Sequence, residues 1–112
     1  FDPIALHASV ARLLASKPQV MYPTHFGPVN DIGRLAEQLL RQADSMVAVA
    51  LELTKAADRH EQLRQAFQKI YLTELRRCGS TLDEATILSL LATDIELNAQ
   101  GMAVWLDRQA RV

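Results

Sequence analysis

The stretch Val20-Met21-Tyr22-Pro23-Thr24-His25-Phe26-Gly27-Pro28 divides the chain into two unlike parts. Before it lies one segment with helical spacing, and after it come only long helical patterns. Val20, Met21 and Tyr22 are β-favouring or apolar and run into Pro23, while Gly27 and Pro28 close the stretch. That order predicts a short strand over 19–23 that ends in a loop carrying Thr24 and His25. Functional side chains collect on loops held by a rigid base, so His25 is the first residue to consider.

Toward the N-terminus, Asp2 is a good helix cap and Pro3 suits the first helical position, where its missing N–H costs nothing. Leu6, Val10, Leu13 and Leu14 follow as one apolar stripe, and Pro18 stops the helix. His7 sits beside that stripe and reads as a surface or half-buried histidine.

Toward the C-terminus, Asn30 or Asp31 caps a second helix expected over 31–58, about 40 Å long at the α-helical rise. Ile32, Ala36, Leu39, Ala43, Met46, Ala50, Leu53 and Ala57 alternate along it at spacings of four and three. One position of each heptad is alanine and the other is large and apolar. Such a seam admits a close neighbour, because methyl side chains leave the backbone uncovered. The last helix, with Ala99 and Gly101, is the expected partner within the chain, a second copy of the same helix is the alternative if the chain dimerises, and either way Ala43 and Ala50 are expected to be buried. Leu35, Leu40, Val47, Val49 and Leu51 widen the apolar surface, so the helix should be covered on several sides.

The polar run Asp58-Arg59-His60-Glu61 marks a break. A third helix follows, with Leu63, Ala66, Phe67, Ile70, Tyr71 and Leu75 on one face. Cys78-Gly79 ends it, with Gly79 suited to the left-handed cap and Arg76 and Arg77 to the negative end of the dipole. Thr81 and Glu84 have capping-box spacing and open a fourth helix expected over 82–109. Asn98 falls in its apolar stripe and needs a hydrogen-bond partner there. Gly101 suggests close packing. The fold class is therefore mainly α: a short helix–strand remnant over 1–30, then a helical domain over 31–112 built as a bundle of three long helices.

A chain of 112 residues, 49% hydrophobic and 22% charged, has an ordinary globular composition with enough apolar residues for a core. A net charge of −1 leaves no basic footprint for nucleic acid. No apolar run approaches membrane-spanning length. The one cysteine, Cys78, excludes an intrachain disulfide and fits a reducing, cytoplasmic setting.

Tyr22-Pro23-Thr24-His25-Phe26-Gly27, preceded by a helix with Leu13-Leu14-Ala15 and a Lys17-Pro18 break, resembles the C-terminal region of a metallo-β-lactamase-fold metallo-hydrolase. The likeness covers about residues 4–40. In that family the last core strand runs into a loop whose histidine is the final metal ligand, and a helix follows. The resemblance implies that His25 is one ligand to zinc or another divalent metal in a longer hydrolase. It implies that the rest of the hydrolase domain is this chain's partner. The family's His-x-His-x-Asp-His cluster is absent here, as are its other histidine and its bridging aspartate, so this piece is not expected to be active alone.

The residues themselves agree with that limit. A catalytic zinc needs three or more protein ligands. The chain has histidines only at 7, 25 and 60, with no pair four apart. His60-Glu61 begins like the zincin motif, but Arg64 stands where the second histidine belongs. Cys78, at a helix C-terminus, is poorly placed as a nucleophile. Asp83, Glu84, Asp94 and Glu96 read as caps and solvated faces. The second reading of the chain is a helical interaction or dimerisation module without chemistry. A second copy of the chain is an expected partner in either case, because an unpaired strand edge invites one.

Overall fold

The computed structural model describes residues 1–111 and is mainly α. Five helices follow in order: α1 Pro3–Ala15, α2 Ile32–Glu52, α3 Arg59–Arg77, α4 Glu84–Leu90 and α5 Ala92–Gln109. α3 packs on both α2 and α5, and α1 packs on α2 alone.

α1 begins as its sequence requires. The Asp2 carboxylate accepts the Ala5 N–H at 3.0 Å, and Pro3 fills the first turn. Lys17 takes a left-handed conformation at φ 50°, and its N–H reaches the Leu14 carbonyl at 2.9 Å. Pro18 disfavours a helical residue before it, so the helix ends there. α1 lies against the first half of α2, with Val10 and Ala36 both buried there. His7 Nε2 meets Asp44 Oδ1 at 2.7 Å.

The strand expected over 19–23 is not found among the described residues. Met21 and Val29 instead form an isolated antiparallel bridge, with N–H to carbonyl distances of 3.0 and 2.8 Å. The ladder stops on both sides for local reasons. The next hydrogen-bonded position toward the loop tip is Pro23, which has no N–H to donate. On the other side Asp31 is left-handed at φ 55° and cannot continue an extended chain. The free strand edge, which made a second copy an expected partner, therefore has no counterpart here.

α2 stops at Glu52, not at 58. Nothing in Leu53-Thr54-Lys55-Ala56-Ala57 forbids a helix. The Thr54 hydroxyl donates to the Leu51 carbonyl at 2.7 Å, and Arg59 reaches both Thr54 O and Asp107, tying the link to α5. Ala57 therefore lies outside the helix and is exposed. The seam survives in part. Ala50 is fully buried, Ala36 nearly so, and Ala43 is only half-buried. α2 as a whole packs more extensively on α3 than on α5, and Ala50 clusters with residues of both.

The core joins Met46 and Ala50 of α2, Leu63 and Phe67 of α3, and Ile95, Ala99, Met102, Trp105 and Leu106 of α5. Ala50→Leu is expected to overpack this cluster and cost about 1–3 kcal/mol. Ala48→Leu, on the exposed face of the same helix, should stay within about 0.5 kcal/mol. Equal unfolding midpoints for the two variants would show that the seam plays no packing role.

α3 ends in a Schellman motif. Ser80 N–H bonds Leu75 O at 2.9 Å, Gly79 N–H bonds Arg76 O at 3.0 Å, and Gly79 has φ 83°. The expected capping box gives way to Asp83, two residues later, whose carboxylate accepts the Thr86 N–H at 3.0 Å. The expected fourth helix is divided at Leu91 into α4 and α5. Backbone bonds Leu91 N to Ile87 O and Ile95 N to Leu91 O flank the bend. Ile87 and Ile95 are both buried on either side of it.

Glu74 is the one buried charged residue among those described. Arg41 holds it from α2 with two parallel bonds, Nε to Oε1 at 3.2 Å and Nη2 to Oε2 at 3.0 Å. The Arg41 hydrogen bonds, with the charges of Arg41 and Arg77, pull the Glu74 carboxyl below its ordinary range. A carboxyl lowered in the fold stabilises it above the unfolded value, and that contribution is lost as pH falls through the folded value. The urea midpoint should therefore fall on acidification below the ordinary glutamate value, and Arg41→Met should flatten part of that fall. Glu61, Asp83 and Glu96, lowered by Gln65, Thr86 and Gln100 respectively, supply a remainder that Arg41→Met leaves in place. An unchanged pH profile in the variant would contradict this account.

Candidate functional site

The loop between α1 and α2 is built upward from its base. The Met21–Val29 bridge closes it, and Phe26 N–H bonds the Pro23 carbonyl at 3.2 Å. Pro23-Thr24-His25-Phe26 is thus a hydrogen-bonded turn, and His25 is its third residue. His25 is exposed and makes no hydrogen bond or ion pair among the described residues. The other two histidines are both engaged. His7 is held by Asp44 at 2.7 Å, and His60 Nε2 by Glu96 Oε1 at 3.1 Å.

The described residues contain no group of three His, Cys, Asp or Glu side chains placed to hold a metal ion. His25 fits the role of a single ligand and not that of a complete site. The zincin-like His60-Glu61 pair is part of a surface ion network. Arg64 joins it, 2.7 Å from Glu61 and 3.0 Å from Glu96. Cys78 is exposed.

Beside the His25 turn lies a feature that the sequence reading missed. α1, the loop and α2 enclose an open groove of about 460 Å³. Its lining is almost entirely apolar and includes Val10, Leu14, Met21, Phe26, Val29 and Ala36. Tyr22 and Phe26, flanking the turn, are 77% and 75% exposed, and Leu13 and Leu39 about half. Isolated exposed apolar residues are ordinary, but a contiguous apolar concavity marks an interaction surface. The available signal was the density of apolar residues in 20–29. It could not be read as a groove without knowing that α1 folds back on α2. No described helix is long and apolar enough to cross a membrane. No family model, curated protein or solved structure matches the chain.

Proposed function

We propose that this chain is the C-terminal region of a metallo-β-lactamase-like, metal-dependent hydrolase of the cytoplasm. In this reading residues 1–30 finish the α/β unit as its last helix and strand, the strand pairing beyond Met21 only within the whole domain. Residues 31–112 form a helical domain that covers the site or mediates assembly. His25 supplies one ligand to zinc or another divalent metal, and the rest of the hydrolase domain supplies the others. The bound metal would activate water for attack on an ester, thioester or amide bond. The chain's own contribution is to hold the backbone of the turn that presents His25, through the Met21–Val29 bridge and the turn bond from Phe26 to Pro23.

The observation that carries this reading is the pairing of a free, exposed His25 with an uncovered apolar groove at its side. A ligand that completes a site built elsewhere must project from its own segment. The segment must also keep an apolar face for the body that carries the other ligands. The groove alone equally favours the second reading, a helical interaction or dimerisation module without catalysis, and the histidine separates the two. The experiment is His25→Ala in the protein as its gene encodes it, read by bound metal. Loss of metal is expected, and full retention overturns the reading.

A further inference from the structure

A second concavity lies on another side of α2 and does not depend on the hydrolase reading. It is a pocket of about 280 Å³, open to solvent and lined from α2, α3 and α5 together with Phe1 and Leu6, and the Asn98 and Gly101 that line it are exposed. Its walls are Ala43 and Met46 from α2 and Gly101 and Met102 from α5. Met46 and Met102 are both buried.

Small residues make this space. The spacing of Ala43 and Gly101 suggested two helices in close contact, but the structure puts an opening there. A Cβ built on Gly101 would meet nothing within 4 Å. Ala43 is half-buried for the same reason, whereas Ala50, two turns on, is fully covered. A larger side chain at either position would fill the space.

The polar groups converge at one place on the wall. Tyr71 is half-buried, and its hydroxyl accepts the Asn98 amide N–H at 2.7 Å, with Gln42 beside them. Because the Tyr71 oxygen is an acceptor in that bond, its own proton remains to be donated. Asn98 and Gln42 each carry an amide oxygen that can accept. The two amides also keep N–H groups that can donate, so donors and acceptors stand side by side, which matches a hydroxyl, a group that both accepts and donates. No residue with an ionised side chain lines the cavity. Burial, with the Asp94 charge, pushes the Tyr71 hydroxyl above its ordinary value, against the hydrogen bonds from Asn98 and Gln42. An apolar concavity with a few convergent polar groups is the general form of a small-molecule site.

We infer that this cavity binds a neutral, mainly apolar molecule of one or two rings carrying a single hydroxyl group. The test uses 2-naphthol as probe, naphthalene as the analogue without the hydroxyl, and two-dimensional NMR of the 112-residue chain. Saturable shifts are expected at the Gly101 amide and the Asn98 side-chain amide. Intermolecular NOEs from naphthol protons to the Met46 and Met102 methyl groups are expected in the saturated sample. Gly101→Leu or Ala43→Leu should abolish the shifts while the helical circular dichroism is kept. Tyr71→Phe should weaken 2-naphthol about fivefold, the worth of one ordinary hydrogen bond, and leave naphthalene unchanged. The absence of saturable shifts, or of the methionine NOEs in a saturated sample, overturns the proposal. So does binding that survives both cavity-filling substitutions. Equal affinity of wild type and Tyr71→Phe for 2-naphthol overturns the assignment of the hydroxyl.

Discussion

Phe67→Ala is expected to destabilise the chain by about 3–5 kcal/mol, the usual loss for a truncated core aromatic. Phe67 has no exposed surface and stands among residues from all three core helices. It lies between Leu63, also fully buried, and Ile70 on the same face of α3. Ala50 and Ala99 are its small neighbours in the cluster and cannot expand to fill the space it leaves. A domain of this size is stable by only about 5–15 kcal/mol, so the loss is a large share of the total. The melting temperature should drop by more than about 10 °C. Phe26→Ala is the control. Phe26 is 75% exposed beside the loop tip, and its removal should change stability by no more than about 0.5 kcal/mol. Similar midpoints for the two variants would mean that α3 is not the centre of the core.

His25→Ala should have its effect elsewhere. If the proposed hydrolase reading holds, metal affinity and activity of the full-length protein are expected to fall at least about 100-fold. Loss of a residue that merely orients a ligand already costs about 10–100-fold, and a ligand acts more directly. In the 112-residue chain the same substitution should leave the unfolding midpoint unchanged, because His25 is exposed and has no partner among the described residues. The contrast is the informative part. A histidine that mattered for folding would lower the midpoint in both settings. A histidine with no role would leave metal content and activity intact in the full-length protein, and the hydrolase reading would fail with it.

Local rules were legible because their causes are local. The Asp2 cap with Pro3 and the left-handed Gly79 each depend on a few neighbouring residues. So did the existence of long helices, which follows from apolar spacing alone. The His25 turn was also placed correctly as a loop between Pro23 and Pro28, since proline and glycine act on their own backbone. The strand expected there is reduced to one bridge among the described residues, because β-favouring residues need a partner ladder.

Other features needed the third dimension. Phe26 and Phe67 are the same residue type, yet one is exposed and the other fully buried, because burial depends on which helices fold over a face. The division at Leu91 and the stop at Glu52 carry no strong breaker in sequence, so local rules did not place them. Alanine spacing could state that a close approach was permitted along α2. It could not state where one occurs. At Ala50 the approach happened, while at Ala43, with Gly101 on the opposing α5, it left a cavity. A small side chain only removes an obstacle, and whether a helix, a ligand or solvent takes the space is decided by the packing of the whole chain.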